Sequence, residues 1–155
     1  MNLNNPFRHY NDSVLCPNAP FPSVDAARPL QLLASCPVYE ETPLHHRQIE
    51  PTKGEFFIKD ERSRMGLGSF KALGAAYVIA HFAQQQSLAN TTFITASAGN
   101  HGLSVAAGAK TFGAKSVVYL SQTVPETFAE KLRLHGAKVC RKGHDYEASM
   151  TAAAK

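Results

Sequence analysis

Hydrophobic and polar positions along the chain change their spacing near residue 52. Before that point the apolar residues follow no sustained period and prolines are frequent, except around Ala27 to Ala34, where one short helix is predicted. After it, strand-like blocks alternate with blocks that carry apolar residues at helical spacing. We therefore divide the chain into an irregular lead-in over residues 1–51, a segment with one long helix over residues 52–91, and an α/β region over residues 92–155.

The blocks after residue 52 predict a regular series of elements. They are a strand over Glu55 to Lys59, a helix over Ser69 to Gln86, a strand over Thr92 to Ala96, a helix over Asn100 to Thr111, a strand over Ser116 to Leu120, a helix from Pro125 to Leu134, a strand over Ala137 to Arg141 and a last helix from Tyr146. Strands separated by single helices are typical of parallel βαβ units. The predicted fold class is therefore α/β, with a parallel, doubly wound sheet in three layers.

The composition allows a packed core and argues against two kinds of partner. With 44% hydrophobic residues the chain has the profile of a globular protein. No apolar window approaches the roughly 18 residues needed to span a bilayer, so no membrane partner is predicted. Basic residues cluster between residues 131 and 142, but without interleaved aromatic residues or a groove-reading motif, which favours a solvated surface over nucleic-acid binding.

Cysteine and histidine spacing predicts neither disulfides nor a metal site. Cys16, Cys36 and Cys140 are odd in number and widely separated, which does not fit a disulfide framework or a CxxC pair. A reducing cytoplasm is the expected compartment. His45 and His46 are adjacent and would point apart in regular structure, and no partner stands at metal-ligand spacing.

The turn at residues 97–102, Ser-Ala-Gly-Asn-His-Gly, lies between a predicted strand and a predicted helix. Free backbone N–H groups and the positive end of the helix dipole make such a turn an anion site, and ligands of parallel sheets bind beyond the carboxyl ends of strands. The alternative is a tight turn whose glycines only permit the geometry, with Ser97 or Asn100 capping the helix. A dinucleotide site is not favoured, because Gly99 and Gly102 give only GxxG.

Lys71 stands near the start of an otherwise apolar, alanine-rich helix. An isolated lysine is usually a solvated surface charge. Here Gly66 and Gly68 precede it, Ser69 can cap the helix, and the positive end of the helix dipole disfavours the ammonium form. A lysine that forms a Schiff base needs an unprotonated amine, so Lys71 is the candidate nucleophile.

Four segments in this order resemble the fold type II enzymes that depend on pyridoxal 5'-phosphate (PLP), which include threonine and serine dehydratases, threonine synthases, cysteine synthases and diaminopropionate ammonia-lyases. They are Glu41-Thr42-Pro43-Leu44, Lys59-Asp60-Glu61, the run Ser69-Phe70-Lys71 with Ala72-Leu73-Gly74-Ala75, and the turn at residues 97–102. The resemblance runs from about Cys36 to the C-terminus and is greatest to the diaminopropionate ammonia-lyase group. That group has Asp at the position of Ala98, whereas the dehydratases have Ala. The resemblance therefore does not decide between the substrates of the two groups.

The resemblance implies a role for each residue of the two motifs. Lys71 would hold PLP covalently and take the Cα proton of a small amino-acid substrate, and Asn100 would bind the ring hydroxyl of the cofactor. The residues that would bind the substrate carboxylate are Ser97, Gly99, His101 and Gly102. The implied reaction is β-elimination to a 2-oxo acid and ammonia. β-Replacement of the cysteine synthase kind is the alternative within enzymes, and a non-catalytic truncated remnant is the alternative outside them.

The resemblance covers only the front part of such enzymes. Their glycine-rich loop around the PLP phosphate, and the Ser, Thr or Cys that faces the pyridine nitrogen, have no counterpart in this sequence. We therefore expect an N-terminal fragment of an incomplete fold type II enzyme, with residues 92–155 as part of its small α/β domain. Because charge-assisted hydrogen bonds to the phosphate supply much of the anchoring, the fragment is expected to be inactive alone. The full-length parent is expected to be a homodimer.

Overall fold

The computed structural model describes residues 25–49 and 54–155 of the chain. In chain order they form α1 (Ala27–Ala34), β1 (Leu44–Ile49), β2 (Gly54–Lys59), α2 (Lys71–Gln85), β3 (Thr92–Ala96), α3 (Asn100–Thr111), β4 (Lys115–Leu120), α4 (Glu126–Leu134), β5 (Lys138–Arg141) and α5 (Tyr146–Ala153). Every element predicted after residue 52 is present, with starts and ends shifted by at most two residues. The predicted lead-in lies partly outside the described residues.

The parallel sheet consists of β3, β4 and β5, in that spatial order. The central strand β4 is buried along one face, where Ser116, Val118 and Leu120 alternate with the half-buried Val117 and Tyr119. This alternation arises because successive side chains of a strand point to opposite faces. Beyond the end of β3, the backbone N–H of Ser97 still donates to the carbonyl of Tyr119 at 3.3 Å, so the ladder continues into the turn.

The hydrophobic core lies between the sheet and two of its helices. Val118 and Leu120 of β4 pack with Ala106 of α3 and with Ala129 and Leu132 of α4, and all five are at most 1% exposed. The other face of the sheet is covered by α5, which packs on β3 and β4. Helices therefore lie on both faces, and the predicted three-layer α/β fold class is confirmed.

Helix α2 packs closely along α3 instead of lying directly on the sheet. Ile79 of α2 is 2% exposed, and a Cβ at Gly108 of α3 would lie only 2.8 Å from its Cδ1 atom. The missing side chain at Gly108 lets the two helices approach. Farther along, Phe82 of α2 meets Phe93 of β3 with their ring centroids 6.5 Å apart.

A separate two-stranded antiparallel sheet, formed by β1 and β2, precedes the lysine segment. Strand β1 contradicts the expectation that the lead-in has one short helix and is otherwise irregular; that helix is present as α1. Strand β1 was missed because its sequence, Leu-His-His-Arg-Gln-Ile, has no period-two alternation, and it is strand only through pairing with β2. Within the described part of the chain, no helix is long and apolar enough to cross a membrane.

We predict that Leu132→Ala lowers the free energy of unfolding by roughly 2–5 kcal/mol, because it removes a fully buried side chain and leaves a cavity. The matched control is Leu134→Ala in the same helix, since Leu134 is 76% exposed. Urea unfolding followed by circular dichroism measures both. Equal losses in the two variants would contradict the described core.

Candidate functional site

The turn between β3 and α3 is closed by the side chain of Ser97. Its Oγ atom accepts hydrogen bonds from the backbone N–H of Gly99 at 3.3 Å and from that of Gly102 at 3.0 Å. Ser97, and not Asn100, therefore satisfies donors at the start of the helix. Asn100 is the first residue of α3, and its side chain is exposed.

Backbone donors at the start of α3 are left for a ligand. Among the described residues, no hydrogen bond uses the N–H group of Asn100 or that of His101. Both groups stand at the positive end of the α3 dipole, where an anion is stabilised. The anion-site interpretation and the capping interpretation of the turn are therefore compatible.

Gly102 is required by the same geometry. It is buried, and a Cβ there would lie 2.8 Å from the carbonyl oxygen of Ser97 and 3.3 Å from Cγ1 of Val118. Gly99 differs, because a Cβ at that position would meet nothing within 4 Å. A steric clash therefore explains why residue 102 is glycine, whereas no such clash explains the glycine at position 99.

Lys71 is the first residue of α2, two residues later than the predicted helix start. The shift reflects a local cap, in which the buried Ser69 accepts a hydrogen bond on Oγ from the N–H of Lys71 at 3.2 Å. The Lys71 side chain is exposed, and its Nζ lies 5.3 Å from the centroid of the Phe70 ring. The amine is thus accessible and lies beside an aromatic ring.

The lysine motif and the turn both border one cavity of about 430 Å³. Its lining residues are Phe70, Lys71, Gly74, Ala75, Val78, Ile79, Phe93, His101 and Val105. Of the predicted site residues, Lys71 and His101 border this cavity directly. Ser97, Gly99, Asn100 and Gly102 do not line it, but belong to the same turn as His101.

A buried arginine, Arg64, was missed from the sequence. It is 4% exposed, and its guanidinium binds both carboxylate oxygens of Glu61, with 2.7 Å from Nε and 2.9 Å from Nη2. It also donates to Oγ1 of Thr42 at 2.6 Å and to the carbonyl of Glu40 at 2.8 Å. Only the spacing of Glu61 and Arg64, three residues apart, hinted at an ion pair in the sequence.

The arginines of this loop control the acidity of two neighbouring carboxyl groups. Hydrogen bonds from Arg64, with a smaller contribution from Thr42, lower the pKa of Glu61 from 4.5 to about 2. Hydrogen bonds from Arg62 hold the pKa of Asp60 well below its usual range. Both carboxylates are therefore ionised at neutral pH.

The histidines and cysteines near the lysine segment form no metal centre. Within residues 25–49 and 54–155, no three His, Cys, Asp or Glu side chains are arranged so that they could hold a metal ion. His45 lies 3.7 Å from Asp60, and His46 stacks on Phe57 with ring centroids 4.9 Å apart. Both histidines thus take part in local contacts of the hairpin.

The described residues thus combine a parallel α/β sheet, a turn with unused backbone donors at the end of β3 and an exposed lysine amine. The family described as pyridoxal-phosphate dependent enzyme matches residues 36–155. The chain belongs to this family, its fold is of the fold type II kind, and the cofactor of the family is PLP.

Two curated relatives and one solved structure indicate which members of the family this chain resembles. A diaminopropionate ammonia-lyase of Salmonella typhimurium is 33% identical over 66% of this chain and 31% of its own length. A catabolic L-threonine dehydratase of Staphylococcus aureus is 37% identical over 61% of this chain and 27% of its own length. The apo diaminopropionate ammonia-lyase of Escherichia coli superposes with a TM-score of 0.73 at 26% identity, over 83% of this chain and 40% of that one. The chain thus spans between a quarter and a third of the curated relatives it matches.

We predict that Gly102→Ala destabilises the protein by roughly 1–3 kcal/mol, because the new methyl group meets the carbonyl of Ser97 and the side chain of Val118. The helix preference of alanine offsets about 1 kcal/mol of this cost. Gly99→Ala is the control, since a methyl group fits there. Thermal unfolding compares the two variants, and similar melting temperatures would contradict the close contact of Gly102 with Ser97 and Val118.

We predict an acid-dependent contribution of Glu61 to stability. Because its folded pKa of about 2 lies below its ordinary 4.5, the ionised carboxylate stabilises the fold above about pH 4.5. This contribution is lost as the pH falls from 4.5 towards 2. The melting temperatures of the wild type and of Glu61→Gln should therefore differ most near neutral pH and converge towards pH 2, whereas a difference independent of pH would contradict the ion pair.

Proposed function

We propose that Lys71 is the residue that binds PLP covalently, and that the turn at residues 97–102 binds the carboxylate of an amino-acid substrate. The observation that carries the proposal is the shared cavity, which has the Lys71 amine on one side and His101 of the anion-binding turn on another. The two motifs lie far apart in the sequence. A cofactor bound to the lysine could therefore meet a substrate held at the turn.

The residues present suit the chemistry of PLP. An aldehyde cofactor needs an accessible primary amine, and the Lys71 side chain is exposed beside the cavity. The aromatic ring of Phe70 lies next to that amine and offers an apolar surface for a planar cofactor. Asn100, exposed at the start of α3, supplies an amide for the ring hydroxyl of the cofactor.

The proposed mechanism assigns binding and proton transfer to residues of this chain. When bound, PLP supplies an electron sink for the carbanion that forms at Cα. The N–H groups of Asn100 and His101 hold the substrate carboxylate, and Ser97 keeps the turn in shape by accepting from Gly99 and Gly102. The Lys71 amine, when it is not bound to the cofactor, would act as the base that takes the proton from Cα. Gly102 allows the helix to begin close to Ser97.

The proposed reaction of the whole enzyme is elimination of a leaving group from Cβ of a small amino acid, giving a 2-oxo acid and ammonia. The names of the two relatives, an ammonia-lyase and a dehydratase, support elimination over replacement. Ala98 is exposed and carries no acid, so a hydroxyl-bearing substrate such as the dehydratases take is an alternative to a diamino acid. Because the chain spans so little of its relatives, the 155 residues alone are proposed to be inactive.

We also propose how the chain is divided into segments and how the whole enzyme assembles. Residues 52–91 would serve as the lysine segment and residues 92–155 as part of a small α/β domain, within a homodimeric enzyme. The start of the parallel sheet at β3, after the antiparallel β1–β2 pair, the lysine loop and α2, supports a boundary before β3. Product analysis of the whole enzyme separates elimination, which releases a 2-oxo acid, from replacement, which incorporates an added nucleophile.

We predict that PLP added to the purified chain, followed by reduction with borohydride, modifies Lys71 in preference to the other lysines. Peptide mass mapping locates the adduct. The visible absorption of the unreduced mixture should be lost in Lys71→Ala and retained in Lys115→Ala, because Lys115 is an exposed lysine at the start of β4, outside the shared cavity. Modification spread evenly over the lysines would refute the assignment of Lys71.

A further inference from the structure

The position of Lys71 depends on the loop of residues 60–70 that leads into α2. Within the loop, regular structure is limited to a short 3-10 turn at Arg64–Gly66. Met65 has a φ of 49°, in the left-handed region that side chains other than glycine rarely adopt, and Gly68 has a φ of 71°. Such a backbone path persists only where contacts hold it in place.

Arg64 supplies those contacts through its side chain. Its guanidinium joins the loop at Glu61 to the segment before β1, where Thr42 and the carbonyl of Glu40 accept its other hydrogen bonds. Thr42 completes the ring of contacts by donating from Oγ1 to Glu61 at 2.8 Å. Thr42 is 3% exposed and Arg64 is 4% exposed, so removing the guanidinium would leave the buried Oγ1 atom of Thr42 without its donor.

The backbone of Arg64 organises the remaining residues before the lysine. Its carbonyl oxygen accepts from the N–H of Leu67 at 2.9 Å and from that of Gly68 at 3.2 Å. Ser69 follows immediately, buried, and accepts from the N–H of Lys71. A continuous series of contacts therefore runs from the anchored guanidinium to the first residue of α2.

Arg62 provides an internal comparison, because it lies two residues earlier in the same loop. Its side chain is 89% exposed and binds Asp60, only two residues away. It therefore carries the same charge and a similar ion pair without joining the loop to the segment at Glu40 and Thr42.

We propose that Arg64 is a positioning residue for Lys71: by fixing the loop to the segment at Glu40 and Thr42, it holds the lysine amine beside the turn at residues 97–102. This inference rests on the proposed function, in which Lys71 binds PLP. It adds a residue that touches neither cofactor nor substrate. The loop residues Met65 and Leu67 also line a second, larger and mainly apolar cavity of about 660 Å³, which Ala76 and Ala80 of α2 border as well.

The test measures the ratio of PLP adduct at Lys71 to adduct at Lys115 in the same molecules, after borohydride reduction and peptide mapping. In Arg64→Gln the ratio is expected to fall about tenfold, because several charge-assisted hydrogen bonds are lost. In Arg62→Gln it is expected to stay within about twofold of the wild type. All samples are kept at a temperature where circular dichroism shows a folded protein.

Two further variants separate positioning from stability. Leu132→Ala destabilises the core between β4 and α4, outside the lysine loop and the shared cavity, and should leave the ratio unchanged while the protein is folded. Thr42→Val removes one acceptor of the guanidinium and should lower the ratio about threefold, which keeps the test usable if Arg64→Gln does not fold. The ratio reports the surroundings of one amine, so a purely structural role of Arg64 would not change it in a folded variant.

Each outcome has a distinct meaning. An unchanged ratio in folded Arg64→Gln, or in Thr42→Val where Arg64→Gln is unfolded, overturns the positioning role and leaves Lys71 as the PLP residue. A ratio that falls equally in Leu132→Ala also overturns it, since general loosening would then suffice. If the wild-type chain shows no preference for Lys71, the proposed function fails and the positioning role fails with it.

Discussion

The close approach of α2 to α3 is the constraint on which the site depends. Ile79 occupies the space that a side chain at Gly108 would fill, with only 2.8 Å to an added Cβ. A larger residue there would force the helices apart, because packed interiors have little room to adjust. The approach brings the first turn of α2, with Lys71, to the same cavity as the first turn of α3, with His101. Two motifs that are separate in the sequence thus border one cavity because of a helix contact that includes residues of neither motif.

Much of the α/β region could be predicted because its signals are local. Strand β3 and helix α3 have the predicted bounds, since a short β-rich run, a glycine-containing turn and a helical period follow one another without interruption. Strand β1 could not be found in this way. Its polar residues have no strand pattern of their own, and it is held by hydrogen bonds to β2, which only the folded chain provides.

The candidate site was predictable in part. The basis of the anion-site prediction, a turn between a strand and a helix, is present in the structure, and Ser97 takes the capping role that the sequence allowed for it or for Asn100. Lys71 was identified as the candidate lysine through the family motif around it, because the sequence alone does not show which residues surround its amine in the folded chain. Arg64 was missed for a similar reason. A lone arginine in a loop is normally solvated, and its burial depends on acceptors at Glu40 and Thr42 that are distant in the sequence.

The composition of α3 has a consequence for the order in which the chain folds. This helix contains Gly102 and Gly108, each of which costs roughly 1 kcal/mol of helix propensity relative to alanine, together with a β-branched valine and a threonine. Short helices of this kind are marginal in isolation, so α3 should become stable only as β3, β4 and α2 pack around it. The donors at its first turn would then be assembled late, and a partly folded chain would have the lysine but no place to receive an anion.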